Sequence, residues 1–111
     1  MLTHSYVHGA VSTPLLGETI GACLDRIAAA WPEREALVSC HQQVRYTWAE
    51  LHAEAERVAR GLMAFGVEAG DRVGIWSPNC AEWQVLQYAA AKAGAVLVNV
   101  NPAYRVRELE Y

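Results

Sequence analysis

Apolar residues recur along this chain with two different periods, and the changes of period divide it into elements. From residue 18 to residue 31 the spacing is helical: Ile20, Cys23, Leu24, Ile27, Ala28 and Trp31 stand at i, i+3, i+4, i+7, i+8 and i+11. One stripe of a helix carries all six, so Trp31 is expected in the core. Thr19 is placed to cap this helix, and Pro32 ends it, because proline disfavours helical backbone in the residue before it. The runs "ALVSC" (36–40) and "QVRYT" (43–47) are instead short and β-rich, and His41-Gln42 between them predicts a hairpin with poor turn chemistry. Helical spacing returns at Trp48, where Leu51, Ala55, Val58, Leu62 and Phe65 form a buried stripe and Glu56 and Arg60 an i,i+4 pair on the wet side. Thr47 and Glu50 match the capping box that starts such a helix, and Gly66 followed by Val67 matches the Schellman ending that stops it.

Past the Gly70-Asp71 turn, "RVGIWS" (72–77) predicts a strand. In "NCAE" (79–82) the capping-box pattern repeats with Asn79 as the cap and Glu82 as its reciprocating acid, and the helix runs to about Ala93 with Gly94 as its stop. "AVLVNV" (95–100) is a continuous β-branched run of the kind found in strands buried on both faces. Strand, helix and strand within some 30 residues is a βαβ unit, so the two strands should be parallel and the crossover right-handed. "YRVRELEY" (104–111) begins another helical pattern, while residues 1–17, punctuated by Gly9, Pro14 and Gly17, predict an irregular arm. The fold class is α/β: a βαβ unit with a short hairpin and flanking helices. One βαβ unit cannot cover its own sheet edges and helix faces, so residues 18–111 are expected to be an incomplete piece of a larger domain, marginally stable by itself.

Composition narrows the class of partner. With 111 residues, 53% of them hydrophobic and 19% charged, the chain is globular rather than disordered and holds one domain at most. Its net charge of -3, with Lys92 the sole lysine and Arg105 with Arg107 the nearest thing to a basic patch, argues against a nucleic-acid partner, whose phosphates require clustered cations. Cys23, Cys40 and Cys80 form no C-x-x-C and are expected as buried free thiols in a reducing compartment. No basic n-region precedes an apolar run, and the longest apolar-rich stretch, Tyr88 to Val98, is broken by Lys92. A span needs about 20 apolar residues. A cytoplasmic protein without a transmembrane segment is expected.

Chemistry is harder to find. Phosphate loops need glycines that let backbone amides close around the anion, and Gly61, Gly66, Gly70 and Gly74 fit neither G-x-x-x-x-G-K-[ST] nor G-x-G-x-x-G. The segment alone is therefore expected to bind no cofactor. His4 and His8 have a metal-compatible spacing but no helix to carry it, and His41 and His52 have no nucleophile brought to them by spacing. Lys92 suits the dipole at a helix C-terminus, and Trp48 can staple the start of its helix. Trp76 and Trp83 flank Ser77-Pro78-Asn79, at the carboxyl end of a parallel strand, where α/β folds place ligands. Two readings stay open there: the rim of a site, or a capped helix start with aromatic packing. No residue is assigned as catalytic, cofactor-binding or metal-ligating.

The phrases "SYVHG", "PLLGETIGACLDRIA", "PEREALVS", "RYTWAELHAEAERVARGL", "GVEAGDRVGIWSPNCAEW" and "AGAVLVNVNPAYRVRELEY", in this order, resemble the N-terminus of adenylate-forming (AMP-binding) acyl-CoA synthetases, above all fatty-acyl-CoA ligases of the medium-chain type. The resemblance implies a two-step ligase. A fatty acid attacks ATP to give acyl-adenylate and pyrophosphate, with Mg2+ neutralising phosphate charge, and the thiol of coenzyme A then displaces AMP. It also implies that the family's phosphate loop, adenine motif, ribose-binding aspartate and catalytic lysine lie beyond Tyr111, so none transfers to a residue here. The chain is expected to be the truncated N-terminal part of such an enzyme, inactive alone, with the remainder of the synthetase as its partner. The alternative is a non-catalytic α/β fragment or interaction module that pairs through an exposed sheet edge.

Overall fold

The first helix starts where the Thr19 hydroxyl accepts the amide of Ala22, 3.2 Å away, which satisfies one of the orphan donors of the opening turn. In the computed structural model, which describes Gly9 and residues 12–110, α1 (Ile20–Ala30) leads to the hairpin strands β1 (Glu35–Ser39) and β2 (Val44–Thr47). Then follow α2 (Trp48–Ala64), β3 (Arg72–Trp76), α3 (Ala81–Ala93), β4 (Val96–Val100) and the short α4 (Val106–Glu110). The arm expected over residues 1–17, with His4 and His8, lies largely outside the described residues.

Two separate two-stranded sheets form. β1 and β2 pair antiparallel, Ser39 opposite Val44, so the connection is the four residues 40–43 and not His41-Gln42 alone. Gln43 takes a left-handed φ of 55° and its amide donates to the Cys40 carbonyl at 3.2 Å, which closes a turn that two residues of this chemistry could not. β3 and β4 pair in parallel, from Arg72 with Val96 to Trp76 with Val100, as the βαβ reading requires.

The core lies between three helices. Leu24 and Ala28 of α1, Leu51, Ala55 and Ala59 of α2, and Ala81, Val85, Ala89 and Ala90 of α3 are all buried, with Ile75 of β3 beneath them. Ala55 and Ala59 on α2 and Ala81, Ala89 and Ala90 on α3 remove side-chain bulk along the contact, so the helices meet closely and Leu24 and Leu51 fill what space remains. Trp48 is half-buried and lines a small apolar cavity of about 190 Å³ with Ile20, Leu24, Ile27 and Tyr88.

Four expectations fail, each for a local reason. Trp31 is 45% exposed, because the helix ends at Ala30 and the non-helical backbone of Trp31 turns its ring outward beneath the Arg34 guanidinium, 5.4 Å from the ring centre. Phe65 is 93% exposed, since it is the last residue before Gly66 reverses the chain. That reversal is itself the Schellman ending: Val67 donates to Leu62 and Gly66 to Met63. β4 is not buried on both faces, with Val96 and Val98 51% and 41% exposed. Nor are the cysteines buried: Cys40, at the hairpin tip, is exposed, and Cys23 and Cys80 are only half-buried.

Gly94 stops α3 with φ 76°, and a Cβ added there would stand 3.1 Å from the Cβ of Ala69. Gly94→Ala is expected to cost roughly 1–2 kcal/mol through left-handed strain and this close approach. Gly61, inside α2 with open space around it, should respond oppositely, Gly61→Ala gaining up to about 1 kcal/mol. Urea midpoints followed by circular dichroism at 222 nm check both signs.

Candidate functional site

At the carboxyl end of β3 the chain turns through Ser77-Pro78-Asn79-Cys80 into α3, and a cleft of about 390 Å³ opens between this turn and the tip of the hairpin. Ser39, Cys40 and His41 form one wall, Asn79, Cys80 and Trp83 the other. The Ser77 hydroxyl donates to the Pro78 carbonyl at 2.9 Å and lies 3.5 Å from Cys80 Sγ, which tightens the turn on itself.

Asn79 does not cap α3. The N-cap position is Cys80, which makes no side-chain cap. Gln42, from the hairpin, takes that role: its Oε1 accepts the Ala81 amide at 2.7 Å, and its Nε2 donates to Glu82 Oε2 at 2.7 Å. The buried Ser39 hydroxyl donates to the same Oε1, also at 2.7 Å, and so holds the amide in place. The hydrogen bond from Gln42, more than any other influence, holds the Glu82 carboxyl below the usual carboxylate range. The local N-x-x-E pattern is therefore present without its local hydrogen bonds, and a residue 39 positions earlier supplies the cap. Gln42→Ala is expected to cost about 1 kcal/mol, the ordinary value of a helix cap, and to speed amide exchange at Ala81–Trp83, while Asn79→Ala leaves those amides unchanged. Hydrogen exchange read by mass spectrometry distinguishes the two.

Ser39 and His41, which share this cleft, do not form a nucleophile–base pair. Ser39 Oγ is 3.4 Å from His41 Nδ1, beyond a working hydrogen bond, and its proton is already given to Gln42. The N-terminus of α3, where a phosphate could otherwise rest, is filled by the Gln42 amide and faced by Glu82.

A second polar cluster ties the three helices together. Lys92 of α3, its side chain only 11% exposed, pairs with Asp25 of α1 and with Glu56 of α2, the latter at 2.7 Å. His52 Nε2 lies 2.7 Å from the same Asp25 oxygen. Gly21 makes room for the lysine stem, since a Cβ there would meet Lys92 Cγ at 3.2 Å. The hydrogen bond from Lys92 chiefly lowers the Asp25 and Glu56 pKa values. Burial is the largest single influence on Lys92 and pulls its pKa down, but the hydrogen bonds and the charges of the two carboxylates together outweigh it, so the pKa is raised and the ammonium stays charged. Ligand atoms of Asp25, His52 and Glu56 lie within 4.8 Å of one another, a spacing a cation could use. The ammonium of Lys92 already takes that position, so the cluster does not fit Mg2+. The dipole of α3 suits Lys92, which lies in the last turn, but its partners are on other helices. Neither Gln42 nor the Asp25–Lys92 pair is announced by a local motif, because their partners are distant in sequence.

Among the described residues no helix is long and apolar enough to cross a membrane. A family model described as AMP-binding enzyme matches residues 24–111. Medium-chain acyl-CoA ligase ACSF2, mitochondrial, of Danio rerio is 47% identical over 110 residues, 99% of this chain and 18% of that protein. Its Homo sapiens counterpart is 49% identical over 107 residues, 96% of this chain and 17% of that protein. The solved Mycobacterium tuberculosis fatty acyl CoA synthetase superposes with a TM-score of 0.79 at 40% identity, over 82% of this chain and 18% of that one. The chain thus spans under a fifth of the length of the relatives it matches.

Proposed function

Because this chain belongs to the AMP-binding enzyme family and matches the N-terminal part of its acyl-CoA ligases, we propose that it serves as the scaffold at the start of a fatty-acid–CoA ligase. The observation that carries the reading is the near-complete match, 47% identical over 110 residues, to a protein named as a medium-chain acyl-CoA ligase. The whole enzyme would activate a fatty acid with ATP and pass the acyl group to coenzyme A, with Mg2+ screening the phosphates. Residues 18–111 would form part of the synthetase domain behind an arm of residues 1–17. The remainder of the synthetase would be their partner.

No residue of this segment is a catalytic, cofactor-binding or metal-ligating group in this reading. Support comes from the occupied start of α3 and from the cation cluster already neutralised by Lys92. What the segment contributes is position: Gln42 and Lys92 fix where the β3–α3 turn stands relative to the three-helix core. Three free thiols, Cys23, Cys40 and Cys80, suit a reducing compartment such as the cytoplasm, although the vertebrate relatives are named as mitochondrial.

The purified 111-residue chain is expected to catalyse no ATP–pyrophosphate exchange with any fatty acid. A chimera in which it replaces the matching first part of the Mycobacterium tuberculosis synthetase is expected to catalyse it. Exchange by the chain alone, or a folded chimera without exchange, would overturn the proposal.

A further inference from the structure

Two of the three free thiols share the cleft between the hairpin tip and the β3–α3 turn, Cys40 on one wall and Cys80 on the other. Hydrogen bonds fix how far apart those walls stand. The Ser39 hydroxyl and the Ala81 amide both lie 2.7 Å from the same Gln42 oxygen, so the residue before Cys40 and the residue after Cys80 are tied to one atom. Cα atoms of β1, which ends at Ser39, and of α3, which begins at Ala81, come within 8 Å of one another. A disulfide spans Cα atoms about 4.4–6.8 Å apart, so a short closing movement into the open cleft brings the pair to bonding distance. Neither sulfur is held firmly against it. Cys40 is exposed, while Cys80 caps no amide and touches only groups a sulfur bonds weakly, the Ser77 hydroxyl at 3.5 Å and the Glu82 carboxylate. Cys23 stands apart: it lines the separate cavity beside Leu24 and Tyr88, with the Arg26 guanidinium 3.6 Å from its sulfur.

We propose that Cys40 and Cys80 form a reversible disulfide that closes this cleft, a redox clasp between the hairpin and the start of α3. Thiol–disulfide exchange supplies the step. The exposed Cys40, as thiolate, attacks one sulfur of a small organic disulfide such as oxidised glutathione, which gives a mixed disulfide and expels one thiol. Cys80 then attacks the Cys40 sulfur and expels the second. The protein loses two S–H bonds and gains one S–S bond, and the two protons and two electrons leave on the two small thiols. A reducing compartment keeps the clasp open, so closure marks a shift to oxidising conditions. The pairing is a property of the folded state, because Cys23 is nearer to Cys40 in sequence than Cys80 is, and in an unfolded chain nearer residues meet more often. It uses groups of this segment alone and stands without the ligase reading.

Non-reducing peptide mapping by mass spectrometry tests this after exposure to oxidised glutathione, on the chain folded in buffer and unfolded in concentrated urea. If circular dichroism finds the chain alone unfolded in buffer, the chimera described above is mapped in its place. In the folded protein the Cys40–Cys80 bridge should outnumber Cys23–Cys40 by about tenfold or more, with Cys23 left as a thiol. In urea the order should reverse, Cys23–Cys40 leading by about threefold as the shorter loop. The oxidised protein should unfold at a urea concentration about 1 M or more higher, because the bridge restricts the unfolded chain, and dithiothreitol should return the original midpoint. Cys80→Ser should trap glutathione on Cys40, whereas Cys40→Ser should leave the half-buried Cys80 free of it. Cys23–Cys40 leading in both conditions would overturn the inference. So would glutathione that persists on Cys40 of the unsubstituted protein, a bridge between two copies, or a lower midpoint after oxidation.

Discussion

Leu51→Ala is expected to abolish the native helical signal of the 111-residue chain at 25 °C, whereas Leu51→Met should keep it. Leu51 is 1% exposed and lies where alanines on α2 and α3 bring the helix backbones together, so neighbouring side chains cannot swing in to fill the space it leaves. A leucine-to-alanine change in such a setting costs about 2–5 kcal/mol, the lost transfer energy plus an unfilled cavity. That is comparable to the whole stability of a small domain, and this one leaves an apolar sheet face in water. Methionine conserves volume and its flexible chain adapts, so its cost should stay below about 1.5 kcal/mol. Far-ultraviolet circular dichroism in a urea series distinguishes the two, and an alanine variant with an unchanged midpoint would show that the three-helix core is not where stability resides.

Lys92→Met is the next largest. The methionine keeps the stem that lies against Gly21 and removes the ammonium, leaving, among the described residues, His52 beside Asp25 and Arg60 beside Glu56. Stranding partners of a fully buried charge costs about 3–5 kcal/mol, but Asp25 is 53% and Glu56 33% exposed, so water restores part of the loss and about 1–3 kcal/mol is expected. The pH dependence is more discriminating. The folded pKa values of Asp25 and Glu56 are lowered, so their contribution is present above the unfolded carboxylate values of about 4 and disappears as pH falls through the depressed folded ones. That of Lys92 is raised, so its contribution is complete below about 10.4 and is lost as pH rises through the folded value. Wild type and Lys92→Met should therefore differ most near neutral pH and converge in acid. Urea midpoints at pH 7 and pH 3 check this, and an equal gap at both would remove the clasp from the stability of the fold.

Elements held by neighbours in sequence were legible from residues alone. The Thr47–Glu50 capping box, the Gly66 reversal and the Gly94 stop rest on backbone preferences that act over a few positions, and the parallel β3–β4 pair, though 24 positions apart, follows from the strand–helix–strand order. Illegible features depended on distance. Asn79 matched the cap pattern at α3, but a long-range amide from Gln42 took the bond. Trp31 and Phe65 continued their stripes in spacing, yet each helix had already ended, and periodicity does not report where a stripe leaves the core. β4 has the composition of a strand buried on both faces while only one face is packed. At the candidate cleft, the turn with its two tryptophans was found from sequence, and the hairpin wall facing it was not.

The amide bridge from Gln42 to Ala81 also has a bearing on synthesis. A ribosome makes the hairpin some 39 residues before the amide it will hold, so when the first turn of α3 emerges its acceptor is already built and waiting. At roughly 5–20 residues per second the interval is a matter of seconds, long against the microseconds in which a hairpin closes. The order of translation thus supplies each partner in the order the bond needs them, and a circular permutant opened between α2 and β3, which makes α3 before the hairpin, would have to fold its helix start uncapped.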